Sequence, residues 1–197
     1  MEHEIKKWER EGGVKFLKKI GVRPGQTILD FGARVGHYTI PAATIVGGKG
    51  IVYALDKDAG ALDELMHTAR SEGLRNITRI KTSGELKIPL GDESVDLVLV
   101  YDVIHLIGWK EKGGKTTRKG TANDRRKLLE DIHRIAKPKA IVSVYPSHLA
   151  THTDISSVED IREEIEDSGF VFERDFHETI FHDDKLVEGY ILNFRKE

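Results

Sequence analysis

Two short stretches carry residues able to hold a nucleotide. The loop Asp30-Phe31-Gly32-Ala33-Arg34-Val35-Gly36 follows the apolar run Thr27–Leu29 and precedes a helical segment, Thr39–Val46. Glycines in such a strand–loop–helix let backbone approach a ligand closely. Asp56 closes a second apolar run about twenty residues beyond Gly36, where a carboxylate accepts hydrogen bonds from both hydroxyls of a ribose. Singly, a glycine turn or a strand-end aspartate has a plain structural reading; together they describe an adenosine site. A second set, Asp102, His105, Tyr145 and His148, follows two later apolar runs. Neutral imidazole takes a proton near neutral pH, so His105 is the candidate base, against a role in packing alone. Asp102 either orients a substrate or caps the next segment, and Tyr145 and His148 border the same pocket. His148-x-x-x-His152, and His177 with His182 and Asp183, have ligand chemistry but lack the HExxH context, and no metal site is assigned.

The elements that must position these residues follow from the patterning. TILDF, GIVYAL, NITRIKT, SVDLVLVY and AIVSVYP are short apolar or β-branched runs, and the segments between them are mostly helical in pattern, which implies a parallel sheet covered on both faces. Helices are expected over Asp58–Ser71 before Gly73 and over Asp124–Ala136 before Pro138. Another begins near Ser156 or Ser157, with Ser156 and Glu159 at capping-box spacing, and stops at Gly169. FVFERDFHETIF and KLVEGYILNF are separated only by His182, Asp183 and Asp184, too few residues for a helical crossover, so they form an antiparallel hairpin. Ile5, Trp8, Phe16, Leu17 and Ile20, interrupted by Gly12 and Gly13, suggest two short amphipathic helices. The segment Trp109–Lys127, rich in Lys and Arg in a Gly/Thr setting, has neither periodicity and reads as a long mobile loop: a solvated insertion or a lid over substrate.

At 197 residues the chain suits one domain, expected to comprise an N-terminal helical cap (1–22), the catalytic fold and the basic loop (108–123). A net charge of −2 removes any global positive field toward nucleic acid. Zero cysteines exclude disulfides, thiolate ligands and a cysteine nucleophile. No run approaches the ~18 apolar residues of a membrane helix, and the charged first twenty residues do not read as a secretory signal, so a cytoplasmic location is expected.

The glycine spacing separates cofactor classes. The dinucleotide pattern G-x-G-x-x-G from Gly32 needs glycine where Arg34 and His37 stand. The segment instead resembles the first motif of class I S-adenosylmethionine-dependent methyltransferases of the type 11/25-like kind, acidic-x-G-x-G-x-G, matched by Asp30, Gly32 and Gly36. The likeness extends to Asp56, the Ile88-Pro89 turn before SVDLV, YDVIHLI, LLEDIHRIAKP and the closing hairpin. It implies a three-layer α/β Rossmann-like fold with a seven-stranded sheet of order 3-2-1-4-5-7-6, strand 7 antiparallel. It also implies S-adenosylmethionine as cofactor, with contacts from Asp30, Phe31, Gly32, Ala33 and Gly36, from Asp56 and Lys57, from Gly84 and Glu85, and from Tyr101. Three positions depart from the pattern. Arg34 replaces the middle glycine, so the loop takes another path or offsets the strain of a left-handed residue, with the side chain turned outward or paired with a carboxylate. Glu85 is the nearest carboxylate to the adenine-contacting acid, one position from alignment. Lys137-Pro138-Lys139-Ala140 stands for K-P-G-G, a change expected to affect only a turn. The implied activity is methyl transfer to a small molecule. RNA or protein methylation through the basic segment 110–127, and non-catalytic cofactor binding, are the alternatives.

Overall fold

The computed structural model describes residues 2–112, 115–118, 120–149, 153–155, 157–183 and 185–197. Seven strands form one sheet: β1 (Thr27–Phe31), β2 (Ile51–Asp56), β3 (Ile77–Lys81), β4 (Val95–Tyr101), β5 (Ala136–Tyr145), β6 (Phe170–His182) and β7 (Lys185–Lys196). Their order is β3-β2-β1-β4-β5-β7-β6. The first five run parallel, and β7 is antiparallel to both β5 and β6. His182 pairs with Lys185, so the closing hairpin turns through two residues. Asp183 adopts φ 47° there; Asp184 lies outside the described residues.

Alternation along the strands splits the core into two layers. Ile28, Val52 and Leu97 face α2 (Gly13–Ile20), α3 (Thr39–Val46) and α4 (Ala59–Ser71), burying Leu17, Ile40 and Leu62. Leu29, Val98 and Val142 face the opposite way, onto Leu128, Ile132 and Ile161 of α5 (Ala122–Ile135) and α6 (Val158–Glu166). These helices start where their caps dictate. Asp58 accepts from the amides of Gly60 and Ala61 to open α4. Thr121 with Asp124, and Ser157 with Asp160, form capping boxes on α5 and α6. The box on α6 therefore lies one residue beyond the expected Ser156–Glu159 pair; Ser156 is outside the described residues.

Two other expectations change. The N-terminal segment is not two helices broken at the glycines: α1 (Glu2–Lys7) passes through a π-helical turn, Trp8–Gly12, directly into α2. Glycine suits both positions because Trp8 packs on them: a Cβ on Gly12 would stand 2.8 Å from Trp8 Cδ1. The basic segment is not an unstructured loop. Lys110–Lys112 and Lys115–Arg118 pair as an antiparallel ribbon, in keeping with the strand preference of threonine, and α5 already begins at Ala122. Residues 113, 114 and 119 lie outside the described residues. The Lys137–Ala140 segment belongs to β5, which carries a register shift opposite Val95/Leu97 and a left-handed Lys139 (φ 66°) in place of a separate turn.

Candidate functional site

A cleft of about 970 Å³ opens at the carboxyl ends of the parallel strands, the position at which open α/β sheets bind ligands. Its floor is the loop after β1. Gly32 has φ 86°, and a Cβ there would lie 2.8 Å from Val103 Cγ2, so glycine is required on both conformational and steric grounds. The amides of Gly32 and Ala33 donate to Leu55 O at 2.8 and 3.0 Å, tying the loop to the end of β2. Gly36 (φ 95°) packs on α4, where a Cβ would meet Leu65 Cγ at 2.6 Å.

Arg34 does adopt a left-handed conformation, φ 46°, which costs an L-residue roughly 1–2 kcal/mol. The offset is visible in the loop: the Arg34 amide donates to Asp56 Oδ2 at 2.9 Å. The side chain is exposed on the cleft rim. Asp56 also accepts the Asp58 amide on Oδ1 at 2.8 Å. A carboxylate offers about four lone-pair sites, so two backbone donors leave capacity for two hydroxyls.

Phe31, Gly32, Asp56, Lys57, Gly84 and Glu85 border the cleft, and so do Asp102, His105 and His148. Five of the expected residues do not. Asp30 is buried beneath the loop, where its Oδ2 accepts the Thr39 hydroxyl at 2.6 Å. Burial, reinforced by the charge of Asp56, lifts its carboxyl to about 6, against the opposing Thr39 hydrogen bond. Ala33 and Gly36 form the underside of the loop. Tyr101 is buried with its hydroxyl 2.7 Å from Ser143 Oγ, and burial holds its phenol far above the usual range. Tyr145 stands behind His182, ring centroids 5.4 Å apart. Burial, then Asp102 and Asp183, push its phenol up, so it stays protonated.

The far end of the cleft gathers polar groups that no local spacing announces. Ser147 donates its hydroxyl to Asp102 Oδ1 and sits 3.5 Å from His105 Nδ1. His105 Nδ1 is itself 3.7 Å from Asp102 Oδ1. His182 reaches in from the end of β6: its Nδ1 is 2.9 Å from Asp102 Oδ2, and its Nε2 is 3.1 Å from His148 Nε2. Asp183 Oδ2 lies 3.5 Å from Nε2 of both histidines. Ser147, His182 and Asp183 thus join a site that spacing along the chain does not assemble; the pointer is topological, since one strand, β7, separates β6 from β5. His177 lies elsewhere, against Tyr190, and His152 is outside the described residues.

The cleft fits a long adenosine-bearing ligand. It holds a strand-end carboxylate with spare acceptor capacity, within a volume at the upper end of those usual for small-molecule sites. Comparison with known proteins gives the same result. Residues 29–144 match the methyltransferase domain family of type 11, and the chain belongs to it, within the class I S-adenosylmethionine-dependent methyltransferases. S-adenosylmethionine is accordingly its cofactor. A demethylmenaquinone methyltransferase from Lactobacillus johnsonii is 29% identical over 138 residues, 70% of this chain and 50% of that protein. An aklanonic acid methyltransferase from a Streptomyces species is 34% identical over 103 residues, 48% of this chain and 46% of that protein. The chain thus spans about half the length of the curated relatives it matches. A crystal structure of an S-adenosylmethionine-dependent methyltransferase from Aquifex aeolicus superposes with a TM-score of 0.72 at 24% identity, covering 99% of this chain and 98% of the other. Among the described residues, no helix is long and apolar enough to cross a membrane.

Proposed function

We propose that this chain transfers the methyl group of S-adenosylmethionine to a small-molecule acceptor seated at the Asp102–His105–His148 end of the cleft. The observation that carries this reading is the continuity of one cleft from Asp56 and the Gly32 loop to Asp102 and His105, which puts an adenosine end and a proton-accepting end on one ligand path. The relatives named for demethylmenaquinone and aklanonic acid support a small acceptor.

When bound, S-adenosylmethionine supplies an electrophilic methyl group on sulfur, and the C–S electron pair leaves with S-adenosylhomocysteine. The protein's task is alignment, bringing the acceptor atom to about 3–3.5 Å from the methyl carbon. Asp56 receives the ribose hydroxyls and the Gly32 loop shapes the floor. His105 would take the proton that an acceptor gives up, its Nδ1 3.5 Å from the Ser147 hydroxyl, which in turn donates to Asp102.

Calorimetric titration with S-adenosylmethionine, followed by detection of S-adenosylhomocysteine released on incubation with a fractionated small-molecule extract, tests this. Saturable binding and turnover confined to the small-molecule fraction are expected. Absence of heat and of thermal stabilisation at millimolar cofactor overturns it. So does turnover seen only with RNA or protein fractions.

A further inference from the structure

We propose that Asp102, His148 and His182 form a binding site for one divalent transition-metal ion of the Zn²⁺ type, at the acceptor end of the cleft, and that the acceptor is an oxygen-bearing molecule able to ligate it. The residues come from the ends of three different strands or their following loops: β4, β5 and β6. One ligand atom from each lies within 4.8 Å of the other two.

Two edges of this cluster are short. In a tetrahedral shell with metal–nitrogen and metal–oxygen bonds of about 2.0–2.2 Å, neighbouring ligand atoms stand roughly 3.3–3.6 Å apart, and both edges come within about 0.5 Å of that range. His148 Nε2 to His182 Nε2 is 3.1 Å, and His182 Nδ1 to Asp102 Oδ2 is 2.9 Å. These two edges use opposite nitrogens of His182, so closure on one ion takes a rotation of that side chain or of Asp102. The 2.9 Å approach is not a hydrogen bond, because His182 Nδ1 is buried and finds no aligned partner among the described residues. A nitrogen at that distance from a carboxylate without a hydrogen bond is what a shared cation resolves.

The backbone agrees. Six non-glycine residues among those described have positive φ, and two of the proposed ligands, Asp102 (53°) and His148 (51°), are among them. Such strain gathers at sites where side chains are held for function. Two imidazoles and one carboxylate favour Zn²⁺, Co²⁺ or Fe²⁺ over Mg²⁺ and Ca²⁺, which prefer all-oxygen shells. Three protein ligands also leave a tetrahedral ion an open position facing the cleft, beside His105. An acceptor oxygen placed there is oriented toward the methyl group and assisted in losing its proton. The identity of the acceptor rests on the methyltransferase reading; the metal site does not.

The test is titration of the intact chain with Co²⁺, followed by d–d absorbance and calorimetry, with Zn²⁺ in competition. One equivalent is expected at micromolar affinity, displaced by Zn²⁺ and unaffected by excess Mg²⁺. His148→Gln and His182→Gln should each weaken it by on the order of 100-fold or more, while His177→Gln, outside the cluster, leaves it unchanged. His148 is exposed, so its variant keeps the test intact should His182→Gln fail to fold. Acetohydroxamate, a two-oxygen chelator, should shift the Co²⁺ spectrum, which reports the open position. No saturable Co²⁺ binding below millimolar, or equal binding by all three variants, overturns the metal site. An unshifted spectrum overturns the acceptor assignment. S-adenosylmethionine titration of the same samples separates either failure from failure of the methyltransferase reading.

Discussion

Replacing Asp30 by asparagine should stabilise the protein at neutral pH, and by an amount that depends on pH in a definite way. The Asp30 carboxyl is 3% exposed and lifted by burial from 3.8 to about 6. In the unfolded chain it ionises near pH 4. Below that value both states hold the proton and the group is neutral with respect to folding. As the pH rises through 4 to 6 the unfolded state releases its proton first, so stability is lost, by roughly 3 kcal/mol in all once the folded group has also ionised. The asparagine side chain keeps an oxygen to accept the Thr39 hydroxyl and carries no charge to desolvate. The difference in stability between Asp30→Asn and wild type should therefore grow from near zero at pH 4 to roughly 3 kcal/mol in favour of the variant at pH 7.5. Urea unfolding of both proteins across this range measures it. Taking the difference removes carboxylates such as Asp131 and Asp154, which are held low by arginine partners and push the pH dependence the other way. A difference independent of pH, or a variant less stable at pH 7.5, would refute the assignment of a desolvated carboxyl.

Other outcomes follow from single contacts. Asp56→Ala should reduce S-adenosylmethionine affinity by about 10- to 100-fold in calorimetry, the worth of hydrogen bonds to a charged group, and also lower the melting temperature, because the Arg34 and Asp58 amides lose their acceptor. Gly32→Ala forces a Cβ to 2.8 Å from Val103 at φ 86° and should destabilise by about 1–3 kcal/mol in urea melts. Arg34→Gly relieves a left-handed L-residue and should raise stability by up to about 1 kcal/mol in the same assay. Arg125 is buried between Glu164 (2.6 Å) and Asp154 (2.8 Å). Arg125→Ala removes the charge-assisted hydrogen bonds to both carboxylates, which stay partly solvated, and should cost about 1.5–3 kcal/mol in urea melts.

The strands and the closing hairpin were legible because they rest on local rules. Apolar runs too short for helices alternate with helical segments, and three residues between two strands allow only a hairpin. The α6 cap was misplaced by one residue because Ser156 and Ser157 both precede an acid three positions on, and only the backbone chooses between them. The basic segment lacked any period, yet Lys110–Lys112 pairs with Lys115–Arg118 as a ribbon. That register depends on contacts rather than on pattern.

Within the site, Gly32 and Asp56 could be placed by sequence alone, since the backbone after a strand leaves glycine and a short carboxylate few alternatives. Whether a loop residue faces the cleft or the core was not so determined. Asp30 and Tyr101 turn inward because side chains alternate between the two faces of a strand, while Ala33 and Gly36 are buried where the loop packs on its neighbours, Gly36 against Leu65 of α4. The meeting of Asp102, His148 and His182 was invisible, because residues distant along the chain become neighbours only when β4, β5, β7 and β6 are laid side by side. Sequence thus determined the fold and the family and pointed to Gly32 and Asp56 on the cleft, while only tertiary structure brought Asp102, His148 and His182 together.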